Sequence, residues 1–343
     1  MANPSVVPDE AALEELLSRP TPALVGALRD IPGDILILGA GGKMGPSLAR
    51  LALRASRETG TARRVIAVAR FSDPALRPAL ECDGVETIAC DLFDREARAR
   101  LPDAPNLIYM AGQKFGTTGD AARTWAVNAL LPGLVAERFA GARIVAFSTG
   151  NVYPLVPVLG MGATEADPTG PVGEYAQSAL ARERVLEFCS RRNGTPMAML
   201  RLNYAVEPRY GVLRDIADRV WSGRPVELGM GWVNVIWQRD ANAVALRALA
   251  HCAVPPLVLN VTGPGLSVRW IAEQFGERWG RKPAFAGEPS LTALLSNAAR
   301  MEELFGAPEV GIEAMLALVA EWVERGGRTL AKPTGFENRE GKF

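Results

Sequence analysis

From Asp34 onward, short aliphatic runs alternate with longer polar-apolar stretches. DILILG, RRVIAVA, VETIA, NLIYMAG, ARIVAFST and PMAMLRL follow one another at the spacing of βα units. Each is apolar enough to be buried on both faces of a parallel sheet. The stretches between them predict helices over 44–58, 121–139 and 174–192. Such alternation predicts an α/β fold with a doubly wound parallel sheet of the Rossmann type.

The rhythm divides the chain. Residues 1–30 form an N-terminal extension, acidic and helical over 9–30, interrupted at RPTP where proline disfavours continued helix. It is expected to pad the outside of the sheet. Residues 31–203 are expected to form the Rossmann domain, with a strand near 255–262 returning to its sheet. From 204 to 343 the pieces become shorter and richer in proline, glycine and tryptophan, including Trp221, Trp232, Trp237, Trp270 and Trp279. This part reads as a smaller mixed α/β substrate domain. Its tail, KPTGFENREGKF, lacks periodicity and is expected to run over the surface.

Composition narrows the function classes. The 343 residues are 48% hydrophobic and 22% charged, which excludes wholesale disorder, collagen and coiled coil. With 38 basic against 38 acidic residues there is no electrostatic footprint for nucleic acid or an anionic membrane. A single histidine, His251, and four cysteines, Cys82, Cys90, Cys189 and Cys252, without a CxxC pair argue against a metal site. The cysteines read as buried thiols of a reducing compartment. The N-terminus is acidic where a signal peptide would be basic, and no apolar window reaches membrane-spanning length, so a cytoplasmic location is expected. Only five of the basic residues are lysines, Lys43, Lys114, Lys282, Lys332 and Lys342, and His251 reads as structural.

GAGGKMG follows DILIL and opens a helix, with glycines at 39, 42 and 45. Gly39 suits a tight turn, Gly42 a close approach to a pyrophosphate, and Gly45 close packing of helix on strand. Lys43 and Met44 complete this candidate dinucleotide loop. At the end of the second run, where an acid would bond the ribose 2′-hydroxyl, stands Arg70, which slightly favours NADP over NAD; a solvated surface arginine is the alternative. Asp91 and Leu92 lie after the third run, in position to meet the adenine.

In this order of motifs the chain resembles the extended short-chain dehydrogenase/reductase family, the NAD-dependent epimerase/dehydratase group, from residue 34 to about 325. GAGGKMG is similar to its GxxGxxG, NLIYMAG to its strand ending in a cofactor turn that includes Ala111 and Gly112, and Asn128 in AVNALLPG to its mid-helix asparagine. STGNVYP and EYAQSA align Thr149 and Tyr175 with the catalytic hydroxyls. RLNYAVEP resembles the segment entering the substrate domain, with Arg201 and Asn203. The resemblance implies a dinucleotide cofactor, a substrate pocket including Asn151 and Asn203, and a homodimer through the helices at 121–139 and 174–192; Trp237 reads either as a ring that stacks on a sugar in that pocket or as a core tryptophan, the core being favoured.

Two departures stand out. The family's lysine four residues after the tyrosine, whose ammonium lowers the phenol pKa, is Ala179 here. Lys114, in MAGQKFG, is the candidate replacement; an exposed loop lysine is the alternative. The arginine that grips a nucleotide diphosphate in relatives is replaced by Val233, with Trp237 in place of a histidine and Asp240 retained. The sequence therefore points to an NAD(P)-dependent epimerase or dehydrogenase acting on a secondary alcohol of a small carbohydrate-like substrate rather than a nucleotide-diphosphate sugar. Gly150 and Asn151 stand where sugar dehydratases carry an acid-base pair, which disfavours dehydration. A non-catalytic NAD(P)-binding sensor or scaffold is the rival reading.

Overall fold

The computed structural model describes residues 7–117, 119–332 and 334–342. Seven strands form the central sheet: β1 (Ile35–Leu38), β2 (Val65–Ala69), β3 (Glu86–Ala89), β4 (Asn106–Tyr109), β5 (Arg143–Thr149), β6 (Met197–Leu202) and β7 (Leu257–Val261). Their order is β7-β6-β5-β4-β1-β2-β3 and every pairing is parallel. All six aliphatic runs are strands, and the returning segment pairs with β6, Leu257 opposite Ala198. The order reverses at β1, flanked by β2 and β4, so a crevice opens beyond the carboxyl ends of β1 and β4.

β1, β2 and β4 are buried along their whole length. β3 corrects the expectation of two-sided burial: it is an edge strand with Glu86 and Ala89 exposed. A charge on an edge discourages pairing with another chain.

Two expected helices are found at Gly45–Glu58 and Gly173–Asn193. The third is broken in type: α at Ala121–Trp125 and Leu131–Arg138, with a π-helical turn, Ala126–Leu130, between them. Pro132 has no N–H to offer the Asn128 carbonyl four residues back, and the helix widens so that Leu131 N–H reaches the Ala126 carbonyl.

Alternate residues of the strands feed two apolar layers. Ile35, Ile37, Val65 and Ala67 pack under the Pro22–Arg29, Gly45–Glu58 and Gln238–Arg247 helices. Leu36, Leu38, Ile66 and Val68 pack under Leu131–Arg138 and Gly173–Asn193. A separate core gathers the Val212–Ser222, Val268–Trp279 and Ile312–Glu324 helices.

Both chain ends depart from expectation. Leu24 and Leu28 do pad the sheet, but Leu13, Leu16 and Leu17 of the Glu10–Ser18 helix enter the C-terminal core. Glu14 pairs with Arg50 at 2.8 Å and with Arg209 at 2.7 Å, so the extension ties the two parts together. The tail is not a surface strand. Phe336 is fully buried in the C-terminal core, and Arg339 donates to the Thr292 carbonyl at 2.6 Å. Among the thiols, Cys90 and Cys189 are buried, whereas Cys82 is exposed, against expectation. His251 is exposed and meets Phe305 edge-on. No helix among the described residues is long and apolar enough to cross a membrane.

Candidate functional site

The crevice at the sheet reversal is floored by the loop between β1 and the Gly45–Glu58 helix. Gly39 has φ +89°, and a Cβ there would lie 2.5 Å from the Ala111 nitrogen. A Cβ on Gly45 would lie 2.3 Å from the Ala40 carbonyl oxygen, so the helix rests directly on the strand end. Gly42 lines the opening with Lys43 and Met44, and among the described residues no side chain caps the helix N-terminus. Two cavities share Gly39, Gly42, Met110, Gly112 and Gln113. The first, of about 490 Å³, is bounded by Arg70, Asp91, Leu92 and Ala111. Arg70 is exposed there, and Asp91 accepts the Phe93 N–H at 3.0 Å.

The second cavity, of about 400 Å³, holds Thr149 at the end of β5 and Tyr175 in the first turn of its helix. The Thr149 hydroxyl donates to Asn151 Oδ1 at 3.0 Å, and its oxygen accepts the Asn151 N–H at 3.2 Å. Thr149 and the Tyr175 phenol share a hydrogen bond. Burial pushes that phenol above its ordinary value, while Thr149 and the charge of Arg182 pull it back. Asn203 lines the wall and donates to the Leu294 carbonyl at 3.3 Å.

Arg182 lies seven residues after Tyr175, two turns along the same helix face. Its Nη1 donates to the Phe147 carbonyl at 2.7 Å and its Nη2 to Asn128 Oδ1 at 2.8 Å. Its Nε donates at 3.2 Å to the Asn128 carbonyl, to which Pro132, four residues on, has no N–H to offer. A π-turn, a proline and an arginine thus fix one guanidinium beside the phenol.

With this geometry in view, a sequence profile of the NAD dependent epimerase/dehydratase family matches residues 35–261. The chain belongs to that family. No curated protein matches it by sequence. Among similar solved structures is UDP-glucose 4-epimerase from Thermotoga maritima with UDP-glucose: 19% identity, TM-score 0.70, 85% of this chain and 99% of that one covered. UDP-glucuronic acid 4-epimerase from Bacillus cereus in complex with NAD has 17% identity and TM-score 0.72 over 85% and 99% of the two chains. UDP-glucose 4-epimerase from Thermus thermophilus in complex with NAD has 22% identity and TM-score 0.68 over 84% and 98%.

As an epimerase/dehydratase family member, the chain rearranges several expected positions. Ala179 is a fully buried methyl packed with Val152, Tyr153 and Ala163. The charge of Arg182 acts on Tyr175; Lys114 lines the same cavity, with its Nζ donating to the Thr334 carbonyl at 3.1 Å. Asn128, expected at the cofactor, spends its amide on protein: Oδ1 also accepts the Gln113 N–H, and Nδ2 donates to the Gln113 carbonyl, both at 2.8 Å. It shapes the turn after β4 rather than lining a cavity.

Trp237 is wholly buried in the C-terminal core, as is Val233, and lines neither cavity. Asp240 pairs with Arg239 and accepts the Val310 N–H at 2.9 Å. Arg201 lies outside the cavity, paired with buried Glu183 at 2.7 Å; Ser148 also donates to Glu183, which braces the β5 end under Thr149.

Sequence reasoning missed Arg182, Tyr204, Tyr210, Lys332 and Thr334, all of which line the second cavity. The spacing from Tyr175 could have found Arg182. Tyr204 has φ +47°, a strained backbone of the sort that collects at functional sites.

Proposed function

We propose that this chain is an NAD(P)-dependent epimerase or dehydrogenase/reductase that acts on a secondary alcohol of a carbohydrate-like substrate. The observation that carries it is the Thr149–Tyr175 hydroxyl pair, which opens into a cavity continuous with the glycine loop. The loop fits a dinucleotide: side chains at Gly39 and Gly45 would collide with backbone, and the uncapped helix N-terminus suits a diphosphate. Lys43, Met44, Ala111 and Gly112 border that path, Arg70, Asp91 and Leu92 its far end. Bound there, the nicotinamide supplies hydride acceptance and donation.

The protein handles the proton. Tyr175 takes it from the substrate hydroxyl when the alcohol is oxidised and returns it when the ketone is reduced, while Thr149 bonds the same oxygen. Because burial raises the phenol, the Arg182 guanidinium and a positive oxidised ring must offset that burial for proton removal near neutrality. Asn151 and Asn203 orient the substrate. Relatives solved with UDP-glucose or named for UDP-glucuronic acid support a sugar as substrate. Val233, buried where a diphosphate-gripping arginine was expected, supports a sugar without the nucleotide. Arg70 at the mouth of the first cavity supports NADP. We further propose a cytoplasmic homodimer through the helices at 121–139 and 174–192, where Leu130 and Phe188 are exposed.

The test is incubation with NAD or NADP and a panel of free sugars, sugar acids, polyols and UDP-sugars. Nicotinamide absorbance and product analysis are both followed. Turnover in either readout is expected; cofactor binding without turnover on any of them would leave the sensor or scaffold reading instead.

A further inference from the structure

The second cavity is electrostatically one-sided. Lys43, Lys114, Arg182 and Lys332 line it, and among the described residues no aspartate or glutamate does. In a chain of zero net charge, three of only five lysines meet in one hollow. The nearest acids stand behind the wall and are already committed. Glu207 holds Arg209, accepting its N–H at 2.8 Å, and Asp215 accepts the Thr334 N–H at 2.8 Å and hydroxyl at 2.6 Å.

Lys43 donates to the Ala205 carbonyl at 2.7 Å and lies 3.9 Å over the Tyr210 ring; Lys114 lies 5.8 Å from the Tyr204 ring. Burial is the first cause that brings Lys43 down to about 7 and Lys114 to about 8. Lys114 and Arg209 lower Lys43 further, while Glu207 and Asp215 oppose. Clustered cations of this kind are costly until an anion joins them.

A dinucleotide diphosphate belongs at the helix N-terminus beside Lys43. Lys114 and Lys332 remain, joined through the tail segment that contains Thr334. We infer that this cavity binds its substrate through an anionic group, a carboxylate or phosphate held by Lys114 and Lys332 of the C-terminal tail. This rests on the redox reading for the reacting end but adds what that reading leaves open: the substrate is a charged sugar derivative and not a neutral sugar or polyol.

The experiment is calorimetric titration of NAD-saturated protein near pH 8, in two buffers of different ionisation enthalpy. The probes are glucuronate, glucose 6-phosphate, UDP-glucose, glucose and sorbitol. Anionic probes are expected to bind at least about tenfold tighter than glucose or sorbitol and to take up protons, because an anion raises the lysine pKa values. Lys114→Met and Lys332→Met should each weaken the anion about tenfold and NAD less than about threefold, and Lys332→Arg should restore binding. Lysine dependence with glucuronate or glucose 6-phosphate puts the charge on the sugar; dependence with UDP-glucose alone puts it in a nucleotide diphosphate. Equal affinity for neutral and anionic probes, lysine variants that bind as the parent does, or an anion that displaces NAD would overturn the subsite. If NAD itself fails to bind, the redox reading falls, and the same titration of ligand-free protein still decides the subsite.

Discussion

Around the glycine loop the cleft wall comes from successive strand-to-helix turns after β1, β2, β3 and β4, whereas around Tyr175 it comes from segments as distant as Lys43 and Lys332. The first region works with backbone: Gly39, Gly45 and an uncapped helix end. The second works with side-chain charge and hydroxyls, positioned by contacts that cross the whole chain. Substitutions should therefore act differently in the two regions, on cofactor affinity in one and on turnover or substrate charge in the other.

The largest expected effect is at the reacting end. Tyr175→Phe should lower turnover by about a thousandfold while NAD or NADP affinity changes less than about threefold; parallel losses in both would erase the distinction. Next comes the backbone region. Gly45→Val drives a side chain into the Ala40 carbonyl and should weaken cofactor binding by about a hundredfold and lower stability by about 2–4 kcal/mol, read by calorimetry and urea unfolding.

Arg182→Met should slow turnover about tenfold. It removes a positive charge that pulls the phenol down, so the pH limb assigned to Tyr175 moves to higher pH; Arg182→Lys should recover part of the shift. An unmoved limb would make Arg182 a brace for Asn128 and Phe147 only. The smallest change is expected from Arg70→Ala, about tenfold on NADP or less and none on NAD. Equal effects on both would remove the 2′-phosphate contact.

The sequence carried the first region almost completely. Strand, glycine turn and helix are local, each within a few residues of the next, and the structure adds little except β3 at the edge and Asn128 in a π-turn. Motif order also singled out Thr149 and Tyr175, and the structure brings them together in one cavity. The cations were harder. A four-residue spacing from Tyr175 reaches Ala179 and stops short of Arg182, one further turn along with its Nε on the Asn128 carbonyl. Lys332 and Thr334 sit in a segment without periodicity, and only tertiary anchors such as Phe336 bring them to the cavity. Trp237 carried two readings, a sugar contact and the favoured core, and burial decides for the core.

The central claim is that the Thr149–Tyr175 pair and the glycine loop serve one reaction in one cleft. The most direct measurement is single-turnover absorbance of nicotinamide when protein loaded with NAD or NADP is mixed with glucuronate, glucose 6-phosphate and UDP-sugars, in parent and Tyr175→Phe protein. The account predicts reduction of bound cofactor by at least one anionic sugar in the parent and its loss in the variant. Cofactor that stays oxidised with every probe while product analysis finds each sugar unchanged, or cofactor that is reduced equally in both proteins, would contradict it.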